Sequence, residues 1–182
     1  MYLEKQKKTA AIDPYWYQLM EGIAKVQSWP QDKMEKLLDE GLSAEPLFYQ
    51  LYFGAIDYYI PKWGGSAYAV EKFARKALQR TRSSEGFGMY ARIYWYASQA
   101  EYDNHLFSES LIDWPIMKKG IDDVLKKYPD AWNLNHFAKF ACQAKDKDKT
   151  AELISRLKTE VLPEVWESPV NFENCKRWAS II

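Results

Sequence analysis

Residues 130–157 read DAWNLNHFAKFACQAKDKDKTAELISRL, which is two helical patterns joined by a short polar turn. Asp130 and Asp146 precede the two patterns, and aspartate is a preferred N-cap because its carboxylate accepts a hydrogen bond from the unpaired N–H groups of a first helical turn. Apolar or small residues follow at the three- and four-residue spacing of one buried helix face: Leu134, Phe137, Ala138, Ala141 and Cys142, then Ala151, Ile154 and Leu157. The stretch therefore predicts a helical hairpin.

The rest of the chain has the same organisation. Further helices are predicted to begin at Asp13-Pro14, Pro30, Pro46, Ser66 and Asp113, where prolines or N-cap residues precede apolar periodic segments. Between residues 89 and 102 the sequence is apolar nearly all round, which is typical of a helix enclosed by neighbours. No segment alternates with a period of two, so we expect an all-α protein. Residues 1–182 are predicted to form one domain, with 1–12 as a flexible N-terminal segment.

Composition excludes several classes of function. Lys plus Arg and Asp plus Glu number 25 each, so the formal net charge is zero, and a nucleic-acid partner is not predicted. The longest apolar runs are far shorter than the ~20 residues that cross a bilayer, so no membrane span is predicted either. Without an apolar signal segment near Met1 we expect a cytoplasmic protein. A periplasmic or membrane-anchored position remains open if the natural chain continues before Met1.

The residues that usually carry catalysis or bind metals are scarce. Cys142 and Cys175 have no metal-ligand spacing and form no evident disulfide framework, so we expect buried thiols and a reducing compartment. Two histidines offer little for a metal site, and no metal is predicted. Residues 86–91 fit the loose pattern G-x-G-x-x-G/A, but a predicted helix rather than a strand precedes them. We therefore predict no cofactor and no catalytic residue.

Arg92 is the most informative charge, because it lies within the apolar segment 89–102, where an unpaired guanidinium is costly. Two explanations are open. Arg92 is either a buried strut tied to a carboxylate or to helix-end carbonyls, or it lines a groove that receives a partner. The apolar residues that follow it favour the strut. If a groove exists, these residues are the candidates for partner binding: Trp63, Arg92, Tyr94, Trp132, Asn133 and Asn135.

The hairpin in residues 130–157 resembles a tetratricopeptide-type repeat, although Ala138 stands where such repeats usually have glycine, and no proline follows at the repeat spacing. The chain as a whole is similar to a bacterial domain family of unknown function related to such repeats. That similarity rests on three motifs: residues 61–66, residues 85–94 and Trp132-Asn133-Leu134-Asn135. It implies a right-handed superhelix of about four stacked antiparallel hairpins with a C-terminal capping helix, and it implies no activity.

The function that we expect from the sequence is a non-catalytic helical-repeat module that binds a protein or a peptide, as an adaptor or an antidote does. Two other classes remain open. One is a small enzyme with an acid/base pair in an aromatic pocket, for which two carboxylates of separated pKa in a closed pocket would be the sign. The other is a structural domain of a larger or membrane-anchored protein.

Overall fold

The computed structural model describes Lys7 and residues 13–158 and 160–180, and all regular structure in those residues is helical, as predicted. The flexible segment expected for residues 1–12 lies outside the described residues except for Lys7, which pairs with Glu40. The α-helices are α1 (Pro14–Val26), α2 (Gln31–Ala44), α3 (Tyr49–Tyr59), α4 (Ala67–Glu85), α5 (Gly88–Ala97), α6 (Leu106–Glu109), α7 (Trp114–Lys127), α8 (Ala131–Gln143), α9 (Lys147–Leu157), α10 (Pro163–Trp166) and α11 (Pro169–Ser180). Short 3-10 turns span Pro61–Trp63 and Asp103–His105, and a π-helical turn spans Ser98–Tyr102.

Side-chain caps start five of these helices, and all five were predicted. The capping oxygen accepts from a backbone N–H two or three residues later at 3.0–3.2 Å, in the caps formed by Asp13, Ser66, Asp113, Asp130 and Asp146. The two proline-led starts are less sharp. Helix α2 begins directly after Pro30 without a side-chain cap, whereas α3 begins at Tyr49, three residues after Pro46.

Consecutive helices pack side by side along the chain. Helix α1 contacts α2 and α3, α5 lies among α3, α4 and α7, and α8 contacts α7, α9, α10 and α11. Their buried faces form a hydrophobic core rich in large rings, which removes apolar surface from water. The largest fully buried aromatic side chains are Tyr52, Tyr90, Tyr94, Phe137 and Trp166.

Helix α5 has an open face that the sequence did not predict. The helix ends at Ala97 and continues as the π-helical turn, and on one side it buries Tyr90, Ile93 and Tyr94 completely. Arg92 and Trp95 project from the other side, where they are only partly buried. The sequence predicted a helix enclosed on all sides over residues 89–102. The structure encloses it on the side that faces α4 and α7 and leaves the opposite side partly accessible to solvent.

The two cysteines are not free thiols, which corrects the expectation from the sequence. Cys142 at the end of α8 and Cys175 in α11 form a disulfide, with 5.9 Å between their Cα atoms. They are separated by 33 positions in sequence, and α10 and the turn after it bring α11 back beside α8 and α9. Spacing along the chain carries no signal for such a pairing.

Candidate functional site

Tyr94, one of the six candidates, belongs to a buried polar network and is 0% exposed. Its hydroxyl donates to the Glu71 carboxylate at 2.5 Å, and the Tyr90 hydroxyl donates to the same oxygen at 2.8 Å. Burial, followed by the bond to Glu71, raises the pKa of Tyr94 far above its usual value, so the hydroxyl remains a donor. Tyr94 therefore joins α5 to α4 and does not face a partner.

The two asparagine candidates also have internal partners. Asn133 donates from Nδ2 to the Tyr128 carbonyl at 3.1 Å and to Asp130 at 2.6 Å, which closes the turn before α8. Asn135 is fully buried, and its amide makes four bonds. Its Nδ2 donates to the carbonyls of Ala131 and Glu160, and its Oδ1 accepts from Leu162 N–H and Trp166 Nε1. Both amides are thus structural.

Arg92 does not have the carboxylate partner that a strut requires. Its guanidinium carbon lies 5.0 Å from the ring centre of Tyr128 and 5.8 Å from that of Tyr49, which are cation–π distances. Its Nε is buried without a hydrogen-bond partner, and within residues 13–158 and 160–180 the guanidinium makes no ion pair. The sequence favoured a strut tied to a carboxylate or to helix-end carbonyls, and the described residues provide neither partner for Arg92.

Trp95, His136 and Trp132 continue the exposed surface next to Arg92. The His136 ring lies between the two indoles, with its centre 4.6 Å from each, and this contact joins α5 to α8. Trp95 Nε1 and His136 Nε2 are buried without a hydrogen-bond partner, and Trp132 is 46% exposed. We call the five residues Arg92, Trp95, Tyr128, Trp132 and His136 the Arg92 surface.

The charge of the Arg92 surface is positive at neutral pH. Burial, followed by the charge of Lys139, lowers the pKa of His136 to about 4, so its ring is neutral. Burial and a hydrogen bond with Glu85 raise the pKa of Tyr49 to about 12, so its hydroxyl stays protonated. The buried Glu85 is itself paired with Lys127 at 2.7 Å. Among the described residues, Glu85 makes no ion pair with Arg92.

Trp63 is separate from this surface. It is 59% exposed on the 3-10 turn after α3, whereas Tyr49, which contacts Arg92, begins that helix about 15 Å away. The turn requires glycine, since a Cβ on Gly65 would lie 2.0 Å from the Tyr59 carbonyl oxygen. Trp63 instead lines a cavity of about 340 Å³ together with Trp29 and Tyr58.

Glu21 is a buried ionisable residue that sequence reasoning missed. It is 3% exposed, and its carboxyl occupies space that is open only because residue 54 is glycine, where a Cβ would lie 2.5 Å from Glu21 Oε2. Burial raises the pKa of Glu21 to about 8, against the opposing effect of Lys25, which pairs with Asp57 at 2.6 Å. A signal was present in the sequence, since Glu21 lies on the α1 stripe formed by Tyr17 and Ala24.

Other kinds of site find little support in the part of the chain that the structure describes. It contains no group of three His, Cys, Asp or Glu side chains placed to hold a metal ion. None of its helices has the length and hydrophobicity needed to cross a bilayer. The candidates considered below are the Arg92 surface, the Trp63 cavity, the Glu21 carboxyl and the region of the disulfide.

Comparison with known proteins adds no relative. The chain matches no family model, no curated protein and no solved structure. Any function must therefore be argued from the geometry itself.

Proposed function

We propose that this protein is a non-catalytic helical-repeat module that binds an acidic segment of a protein or peptide on its Arg92 surface. The observation that carries the proposal is the unpaired Arg92 guanidinium. Two buried charged side chains among the described residues have several partners each, because an unpaired buried charge is destabilising. Glu71 binds Arg75 and two tyrosines, and Lys149 binds Asp122 and Glu152.

A carboxylate is the ligand group that this surface suits best. A guanidinium presents its N–H groups in a planar fork that matches a carboxylate, and stacking on Tyr49 and Tyr128 restricts its orientation. A partner carboxylate that takes the place of water at Arg92 gains charge-assisted hydrogen bonds. Arginine, tyrosine and tryptophan are also the residues that contribute most of the binding energy in protein interfaces.

The proposed arrangement of the helices is the tetratricopeptide-like one, a right-handed stack of hairpins with α10 and α11 as its C-terminal cap. Helices α5 and α8, which carry the Arg92 surface, would then be adjacent first helices of their hairpins and would line the concave side. Stacked hairpins use that side to bind extended segments. An adaptor or an antidote that covers an acidic segment of its target would fit this role.

The enzyme alternative has one observation in its favour, the protonated Glu21 beside the Lys25–Asp57 pair. Two carboxylic groups with different proton affinities are what acid/base catalysis needs. Against it, Glu21 lines neither the Trp63 cavity nor the cavity at the disulfide, and its carboxyl packs over Gly54. A structural domain of a larger or membrane-anchored protein is the remaining alternative, and it predicts no ligand on the Arg92 surface.

The disulfide changes the compartment that we propose. Persistent disulfides belong to oxidising environments, and the cytoplasm keeps thiols reduced. With Cys142 and Cys175 joined, a periplasmic or extracellular position suits the protein better than the cytoplasmic one expected from the sequence. An acidic partner segment would then belong to that same compartment.

The experiment uses random peptides displayed on phage and selected on the immobilised oxidised protein, with counter-selection on Arg92→Met. We expect enrichment of Asp and Glu in the selected peptides. Binding of a selected peptide should weaken with added salt and fall at least tenfold in Arg92→Met, as fluorescence anisotropy would measure. A control peptide has Gln in place of each Glu. Its affinity for the wild type should be as low as the affinity of the acidic peptide for Arg92→Met.

Arg82→Met is the matched control, because Arg82 also stacks on an aromatic ring, that of Phe87, away from the Arg92 surface. Its binding should equal that of the wild type. The unfolding free energy of Arg92→Met should stay within about 1 kcal/mol of the wild type, since only cation–π contacts are lost. A loss of about 3 kcal/mol or more, or selected peptides without acidic residues, would show that Arg92 is structural after all.

A further inference from the structure

A second cavity, of about 370 Å³, lies at the C-terminal end of α8 and is independent of the Arg92 surface. The Cys142–Cys175 disulfide forms part of its wall, and four side-chain amides face it from three segments of the chain: Asn104, Gln143, Asn171 and Asn174. Its volume is within the range of small-molecule sites. The hydrogen-bonding direction of each amide can be read from the bonds it already makes.

A carboxylate fixes the direction of the first two amides. Glu167 is bound by Lys139 at 2.5 Å, and that bond lowers its pKa, so it is ionised and can only accept. Asn104 must therefore present Nδ2 to Glu167, at 3.2 Å, and Oδ1 to Gln143. Gln143 donates Nε2 to that Oδ1 at 2.9 Å, which leaves its Oε1 as an acceptor. Gln143 Oε1 is buried and has no hydrogen-bond partner.

The other two amides are oriented in the same way. Asn171 donates Nδ2 to the Trp166 carbonyl at 3.0 Å, so its Oδ1 is left as an acceptor. Asn174 accepts at Oδ1 from Arg177 at 2.7 Å, so its Nδ2 is left as a donor. Together with Gln143 Oε1, the cavity offers two acceptors and one donor that no other described residue uses.

The charges around the cavity disfavour a cationic ligand. Glu167 is not in the lining, and its carboxylate pairs with Lys139, which is. Lys145 adds a positive charge, makes no ion pair with a described residue, and lies 5.9 Å from the Trp178 ring centre. An unpaired Lys145 disfavours an ammonium ligand, so a neutral group is the better donor to Gln143 Oε1.

We propose that this cavity binds a saccharide. Neighbouring hydroxyls of a sugar ring each donate and accept, and that is the combination which Gln143 Oε1, Asn171 Oδ1 and Asn174 Nδ2 leave unused. Lys145 can donate to a further hydroxyl. The terminal torsion of a glutamine side chain is broad, so rotation about it can turn Oε1 from its buried position towards a hydroxyl in the cavity, and the bond from Nε2 to Asn104 then gives way to one with the sugar.

The test is a ligand-observed NMR titration of the oxidised full chain with glucose, galactose, mannose, N-acetylglucosamine, maltose and lactose at millimolar concentrations. We expect saturable binding of at least one of these sugars. Gln143→Leu should weaken that binding at least tenfold, because the acceptor is removed, and Asn174→Ala at an exposed position should weaken it without affecting the fold. Gln79→Leu, an exposed glutamine on α4, is the matched control and should bind as the wild type does.

Each result decides for or against the saccharide site. Reduction of the disulfide should also weaken binding, because α11 carries Asn171 and Asn174 and is then no longer joined covalently to α8. If none of the six sugars binds, the proposal is wrong. It is equally wrong if a sugar binds but Gln143→Leu and Asn174→Ala both retain wild-type affinity, or if only a peptide binds there.

Discussion

Single side chains in this protein accommodate buried charge in three different ways. Lys149 is 3% exposed, and Asp122 and Glu152 both pair with its ammonium group. Glu21 has no such partner among the described residues and takes up a proton instead. Arg92 lies at cation–π distance from two tyrosine rings, with its Nε unsatisfied. Only the third solution leaves a charge available to a partner.

Glu21 gives the protein a pH-dependent stability. Between about pH 4.5 and pH 8 the folded state keeps a proton on Glu21 that the unfolded state has released. The unfolding free energy therefore falls as pH rises through this window, by at most about 1.4 kcal/mol per pH unit. Glu21→Gln is neutral at all pH values, so its stability should be less steep in pH, as urea titrations at several pH values would measure.

The pH slopes of the wild type and Glu21→Gln are best compared above about pH 6.5. Below pH 6.5 the unfolded state protonates His136, whereas the folded state, in which the pKa of His136 is lowered to about 4, does not, and this opposes the effect of Glu21. The exposed substitution Glu45→Gln should retain the wild-type slope. Identical slopes for the wild type and Glu21→Gln would mean that Glu21 is ionised in the folded state.

At the residue scale, the sequence predicted the N-cap residues correctly, but it predicted only part of the Arg92 surface. An N-cap depends only on the next three residues, so all five capping side chains were identified. Arg92 was identified as the important charge, but its partners come from α3 and the end of α7, which no local pattern brings together. Helix geometry could have removed Tyr94 from the candidates, since two residues along a helix rotate by about 200° and place Tyr94 opposite Arg92.

Among the helices, α8 connects the two proposed sites. Its first turns present Trp132 and His136 to the Arg92 surface, and its last turn presents Gln143 to the cavity at the disulfide. Its buried face, with Phe137, Ala138 and Ala141, is the stripe that the sequence predicted. Cys142 lies on that stripe, and the sequence therefore indicated a packed thiol where the structure has a covalent bond to α11.

The disulfide should contribute measurably to stability. In the chain-entropy model, closing a loop of the 33-residue separation between Cys142 and Cys175 stabilises the fold by about 3–4 kcal/mol. The double variant Cys142→Ser/Cys175→Ser should lose roughly that amount in urea denaturation.

Reductant provides the control for the double variant. It should lower the stability of the wild type to that of the variant and leave the variant unchanged. A wild type that is insensitive to reductant, with free thiols detected by a thiol-reactive dye, would show that the bond does not form.

At the scale of the whole molecule, the helical class follows from the sequence because it depends on local periodicity and caps. The relative arrangement of the helices does not, because crossing angles are set by the shapes of side chains that meet from distant segments. The right-handed stack thus stays a prediction, and the pairing of α8 with α11 was missed for the same reason. The extent of the core was foreseeable from the 29 aromatic residues (8 Trp, 13 Tyr and 8 Phe).

The folded state should need no metal ion. We expect a strongly helical far-UV circular dichroism spectrum whose thermal transition is the same with and without a chelator. A metal-dependent fold would instead lose its structure on chelation. A shift of the transition on adding chelator, or a spectrum with a substantial β component, would contradict the architecture described above.

The four hydrogen bonds of Asn135 bear on how the disulfide forms. Three of them fasten residues 160–166 to α8 without any covalent link, and α11 starts three residues later. The two sulfurs then meet at the effective concentration of groups on one folded body, which exceeds that of thiols on separate chains. Once these contacts have formed, the intramolecular pair is favoured over cross-links between the cysteines of neighbouring molecules.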